Sequence, residues 1–191
     1  MRILQSILAV AFFFIASGAD AQTETPKGYT KGSIVLPDNS SVTGYVKDNM
    51  RKNAAVAFID ENQKKTNYNG ADILAVTIGS DNYISVKGDF FKTICNGKLC
   101  FVQKMSDASG KISYNGNEAV FASGTDGKPG DYFIYETKTK ELKLVTKKNI
   151  SEVATASFAG CNEAIEKSKT VTDDVLQLKD AVEVYNTKSG K

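Results

Sequence analysis

The chain has no histidine and no tryptophan. The missing histidine removes the commonest general base, the commonest zinc ligand and every Ser-His-Asp or Cys-His arrangement. Cysteine is scarce: Cys95, Cys100 and Cys161 make an odd set of three, so either one pair with one left over or no pair. Four residues separate Cys95 from Cys100, and no second cysteine pair completes a zinc site. There is no Gly-x-Ser-x-Gly, no Ser-x-x-Lys and no Gly-rich phosphate loop ending in Lys-Ser/Thr; Ser109-Gly110-Lys111 is a turn fragment. Charge of one sign is not concentrated. Net charge is +2, and the only clusters are small ones such as Lys64-Lys65 and Lys147-Lys148. That is no nucleic-acid footprint. Asp126, Asp131, Asp173 and Asp174 are carboxylates suited to weak calcium binding, but no stretch matches an EF-hand loop, and turn or cap roles explain them as well. The expectation is no cofactor, no metal, no nucleic-acid partner and no catalytic residue that sequence singles out.

Long hydrophobic runs are also missing, except at the start. Arg2 precedes the apolar run Ile7 to Ala16, and Ala19-Asp20-Ala21 stands before Gln22. This order reads as a secretory signal peptide over 1–21, too short for a membrane span. No cysteine follows the run, so lipid attachment there is not expected. The mature chain would be Gln22 to Lys191, exported to the periplasm or beyond the cell, with no later segment able to cross a bilayer as a helix. Its length suits one domain, or one β-rich domain with a helical appendage.

What is present is a two-residue rhythm. Gly88 to Lys104 reads as a β-hairpin, with aromatic and β-branched residues on both sides of Asn96-Gly97, a type I′ turn signal. That two-residue turn would set Cys95 and Cys100 diagonally, with Cα atoms ~7–8 Å apart, at or beyond the usual disulfide reach of ~7 Å. A four-residue loop over Asn96 to Leu99 would set them face to face. Turn chemistry and disulfide thus pull the register in different directions; an oxidising compartment favours the bridge. Cys161, at an apolar helical position, reads as a buried unpaired thiol, with pairing to Cys95 or Cys100 left open.

The remaining hairpins follow in order. After a polar tail to Lys27, Ser33–Leu36 pairs with Ser41–Lys47 across Pro37-Asp38-Asn39-Ser40, and Ala55–Ile59 pairs with Lys65–Tyr68. Ile73–Ile78 is nearly all apolar and predicts a buried strand; Tyr83–Val86 alternates. Met105–Asp131, rich in Gly, Ser, Asn and Asp, reads as a long mobile excursion or a projecting binding loop. Tyr132–Tyr135 and Leu142–Val145 form the last hairpin.

After Lys148 the period becomes 3.6 residues. Asn149 with Glu152 has capping-box spacing, and Ile150, Val153, Ala154, Phe158, Cys161 and Ile165 share one helical face, with Gly160 a weak point. Thr172 reads as the cap of a second helix, Val171 and Leu176 as its hydrophobic staple, and Val175, Leu178, Val182 and Tyr185 as its apolar stripe. The fold class is therefore α+β. A β-rich meander of hairpins over 22–148, a curved sheet or small barrel, is covered by two or three helices in 149–191.

The pattern resembles an uncharacterised family of small exported β-rich proteins of Gram-negative bacteria. The matching residues are Gly28-Tyr29, Ile34-Val35-Leu36, Gly44-Tyr45-Val46-Lys47-Asp48, Val56-Ala57-Phe58, Asp72-Ile73-Leu74, Gly97-Lys98-Leu99, Tyr132-Phe133-Ile134, Leu142-Lys143-Leu144, Cys161 and Tyr185-Asn186. The resemblance implies export and this fold, and no catalytic residue. In the family a second cysteine often follows the Tyr-Asn; here Lys188 stands near that place, which leaves Cys161 without that partner. The function expected is a non-catalytic binding or accessory module of the cell envelope, meeting an envelope protein or glycan. A carboxylate-dependent hydrolase and an envelope structural protein are the competing expectations.

Overall fold

The computed structural model describes residues 25–110, 112–115, 118–121 and 124–189. The segment expected to be a signal peptide, 1–21, lies outside the described residues. Ten strands form one open antiparallel sheet in the order β12-β11-β8-β7-β6-β5-β1-β2-β3-β4. Their ranges are β1 Thr30–Val35, β2 Ser41–Asn49, β3 Ala55–Ile59, β4 Lys65–Asn69, β5 Ala75–Ile78, β6 Asp81–Val86, β7 Asp89–Cys95, β8 Leu99–Lys104, β11 Tyr132–Glu136 and β12 Leu142–Val145. Between β8 and β11, β9 Ile112–Asn115 and β10 Glu118–Phe121 pair as a separate hairpin, so the expected loop has strands of its own. A short helix, α1 Met50–Asn53, links β2 to β3. The α+β class and the curved sheet are as the sequence pattern predicts; the sheet does not close into a barrel.

One crossing departs from a simple meander. β5 pairs with β1, not with β4. In a flat sheet the four strand spacings from β4 to β5 would be about 19 Å. Asn69 and Ala75 are joined by a connector that includes a 3₁₀ turn, Gly70–Asp72, and such a turn rises only ~2 Å per residue. The sheet must therefore curl. Ile34, Val46, Met50, Val56, Phe58, Ile73, Val76, Tyr83 and Phe90 fill the curl. Gly44 makes room for it: a Cβ there would collide with the Ile59 carbonyl and the Phe58 ring. At the connector, Gly70 N–H donates to the Ala54 carbonyl, the Ser85 hydroxyl donates to the Gly70 carbonyl, and Leu74 N–H donates to Val35.

The C-terminal half of the sheet is buried on both faces. On the face that Phe90 shares, α2 Ile150–Ser157, α3 Asn162–Ser168 and α4 Leu178–Ser189 cover Leu99, Phe101 and Ile134. Ala154, Phe158, Leu178 and Val182 are fully buried there, and the other residues of both predicted apolar faces line the same core. Gly160, at φ 82°, splits α2 from α3. The caps differ from the predicted ones. The Asn149 side chain caps no helix N–H. It turns back to accept from Thr146 N and Oγ1 and to donate to the Leu144 carbonyl at 2.9 Å. The second helix is entered through a 3₁₀ turn, Val175–Gln177, capped by Asp174 accepting from Leu176 N, and Leu176 is exposed while Val171 packs on the core. Thr172 is two residues too early: the chain leaves α3 through a turn, with Thr170 N–H donating to Lys167 and Val171 N–H to Ser168, and reaches its cap only at Asp174. On the opposite face Phe91, Cys100, Val102 and Phe133 form a third buried cluster.

Candidate functional site

The arrangement on the second face is built around one buried ion pair. Asp89 opens β7 and Lys104 ends β8; Lys104 pairs with Phe91, so Asp89, two residues earlier, is its diagonal neighbour on the same face, and neither has exposed surface. Their charges are 3.1 Å apart. Taking such a pair out of water is costly unless the remaining donors and lone pairs are satisfied. Here they are. Lys104 Nζ also donates to the carbonyls of Thr125, Asp126 and Gly127 at 2.7, 3.3 and 3.1 Å. Asp89 accepts from Ala108 N, Ser106 Oγ, Thr125 N and Thr125 Oγ1. The Ser106 hydroxyl in turn accepts from Phe90 N. Residues 106–108 and 125–127 are the two feet of the excursion between β8 and β11, so the pair ties both feet to the sheet. Main-chain bonds from Lys104 N to Asp131 O and from Gly130 N to Lys104 O complete the attachment.

Beside the tied loop lies a cleft of about 270 Å³. Its floor is Val86, Phe133, Leu142 and Leu144, its roof Gly124, Thr125 and Asp126, its rim Lys87, Lys140 and Glu141. Val86 and β12 are four strands apart, so the opposite curvature of this half brings them together. The two rim lysines have left-handed backbones, with φ 51° at Lys87 and 62° at Lys140. At Lys87 the cause is the turn. Lys87-Gly88 is a two-residue connection between Val86 and Asp89 with both φ positive, the type I′ geometry expected at Asn96-Gly97. Glu141 lies 3.4 Å from Lys143. The β12 edge beside the cleft is partly covered, because Asn149 holds the Leu144 carbonyl.

The predicted thiol site takes a third form. Cys95, Cys100 and Cys161 are all free thiols. Phe91 through Thr93 follow the register that a four-residue loop requires, then a bulge at Ile94 shifts it and sets Cys95 opposite Phe101. Cys95 therefore packs with Ile94 on the helix-covered face, and Cys100 on the other. Neither Asn96 nor Gly97 has positive φ, so the predicted type I′ turn does not form. The cause is Asn186, near the end of α4. Its side-chain amide accepts from Leu99 N at 3.1 Å and donates to the Leu99 carbonyl at 2.8 Å, as a neighbouring strand would. Any side chain at Gly97 would collide with it. Cys100 donates to Asn96 Oδ1 at 3.0 Å. Burial pushes the Cys95 thiol up to about 11 and raises Cys100 as well. Cys161 is half-buried at the N-terminus of α3.

The remaining predicted carboxylates are scattered. Asp126 is in the cleft roof, Asp131 accepts from Lys128 N inside a turn, Asp174 is a cap, and Asp173 is exposed. Among the described residues no three Cys, Asp or Glu converge as a metal-holding group, and no helix is long and apolar enough to cross a membrane. Sequence reasoning missed Asp89, Lys104 and Asn186. The only signals were an aspartate opening an aromatic strand and the Tyr-Asn that closes the last helix. The class these features define is an α+β protein built on an open, curled antiparallel sheet with a tethered excursion. Comparison with known families, curated proteins and solved structures finds no match for the chain.

Proposed function

We propose that the chain is an exported, non-catalytic binding or accessory module of the bacterial cell envelope, and that its partner meets the cleft between Lys87 and Lys140. The supporting observation is the use made of the buried charges. Asp89 and Lys104, fully satisfied and sealed from solvent, hold a loop against a sheet instead of facing a substrate. A rigid sheet with a fixed loop over a small cleft is a common way to present a binding surface. An apolar floor with a rim of both charge signs fits a segment of an envelope protein. A glycan would stack on an exposed aromatic ring, and Phe133 is 1% exposed.

The hydrolase reading has one observation in its favour: Asp126 and Glu141 line the same cleft. Both are exposed, and Glu141 is near Lys143, so neither has the desolvated setting that a general acid needs.

Crosslinking in the native envelope tests the reading. The expected result is one partner protein, lost in the double variant Lys87→Glu/Lys140→Glu while circular dichroism stays unchanged. Recovery of the unmutated protein alone would overturn it. Export is tested separately: N-terminal sequencing of the native protein should begin at Gln22, and a cytoplasmic chain still starting at Met1 would refute it.

A further inference from the structure

The β7–β8 hairpin contains the makings of a second register. Met105 N donates to the Phe90 carbonyl at 2.8 Å, which fixes which cross-strand pairs exchange hydrogen bonds. By alternation Lys92/Gln103 is a hydrogen-bonded pair, while Phe91/Lys104 and Thr93/Val102 are not. Continued without the Ile94 bulge, the next non-hydrogen-bonded pair is Cys95/Cys100. Cα atoms in such pairs are ~4.5 Å apart, within the ~4.4–6.8 Å that disulfides span. The following pair, Asn96/Leu99, would exchange main-chain hydrogen bonds and enclose Gly97-Lys98. Glycine first in a two-residue connection is the type II′ signature.

Two observations mark this register as a competitor of the present one. The Leu99 N–H and C=O that Asn96 would take are those now held by Asn186. Gly97, which must adopt positive φ there, has not done so here. We propose that oxidation joins Cys95 to Cys100 by moving the Ile94 bulge out of the hairpin, and that the same step releases Asn186 and with it the end of α4. Lys98, whose ammonium donates to the Ser189 carbonyl, is carried along by the new turn. The oxidant is a low-molecular-weight disulfide. Two thiols give up two protons and two electrons, one S–S bond forms in the hairpin, and the oxidant's S–S bond is reduced to two thiols. The proposal does not depend on what occupies the cleft.

The test uses the full mature chain with Cys161→Ser, equilibrated in mixtures of reduced and oxidised glutathione and quenched by alkylation. The expected result is concerted loss of both thiols and a peptide pair linked through Cys95 and Cys100. Hydrogen–deuterium exchange should rise over residues 183–189 on oxidation. Asn186→Ala should oxidise at a several-fold lower proportion of glutathione disulfide. Formation of glutathione mixed disulfides only would overturn the bridge. A bridge that leaves exchange in α4 unchanged would overturn the coupling, whether or not the Asn186 variant folds.

Discussion

A lysine with no exposed surface persists at position 104 because four oxygen atoms surround its ammonium group. Removing one partner of such a pair leaves the other charge buried and uncompensated, which costs about 3–5 kcal/mol. Asp89→Asn and Lys104→Met should each destabilise by that order in urea unfolding. The double variant should cost less than the sum, since no lone charge remains. Burial also sets the alkaline limit. Cys95 is raised to about 11 and Tyr83 to about 12, mainly by desolvation and, for Tyr83, by Asp81 and Asp48 as well. The folded state then binds more protons than the unfolded chain above the ordinary thiol and phenol values, and stability falls as pH rises. The contribution is whole below about pH 9 and is lost progressively from pH 9 to 12, through the Cys95 and then the Tyr83 titration. A thermal midpoint that stays flat across that window would contradict this.

Among the elements, the helices and the hairpin tips differ in how local their causes are. The apolar stripes of α2 to α4 were readable because a period of 3.6 residues needs no partner to be seen. Their burial is deep: Phe158 has no exposed surface and stacks tilted against Tyr185, with ring centroids 5.7 Å apart. Phe158→Ala should cost roughly 3–5 kcal/mol in chemical denaturation, as large-to-small core changes do. The caps were less readable. Asn149 and Asp174 have the same local chemistry, yet only Asp174 caps, because Asn149 is recruited by the last strand. The Asn96-Gly97 turn failed for a similar reason. Its preference is worth little against the two hydrogen bonds that Asn186 makes to Leu99, 87 positions away along the chain. Lys87-Gly88 formed the type I′ turn instead, because the register of β6 and β7 leaves just those two residues to close it.

For the whole molecule, the sequence predicted strands, helices and their faces, and nearly all of these stand where the pattern put them. It did not predict that β5 returns to β1, nor that Val86 and Leu142 meet across a cleft. Both are consequences of curvature. Curvature comes from strand twist, glycine placement and the length of connectors acting together, and no single window of sequence contains them. Candidate residues for the site were legible only in part. Asp126 and the excursion were noticed; Lys87, Lys140 and the Asp89–Lys104 pair were not, since a charge in a turn or at a strand end ordinarily faces water.

Taken alone, the sequence determined the class of the protein, the order of its elements and which side of each is apolar, because side-chain periodicity and turn chemistry act within a few residues. The tertiary structure alone decided the hairpin register at Cys95, the burial of Lys104 and the composition of the cleft. Each of those depends on groups brought together from distant positions, and their competition is settled only when the sheet has curled and the helices have docked.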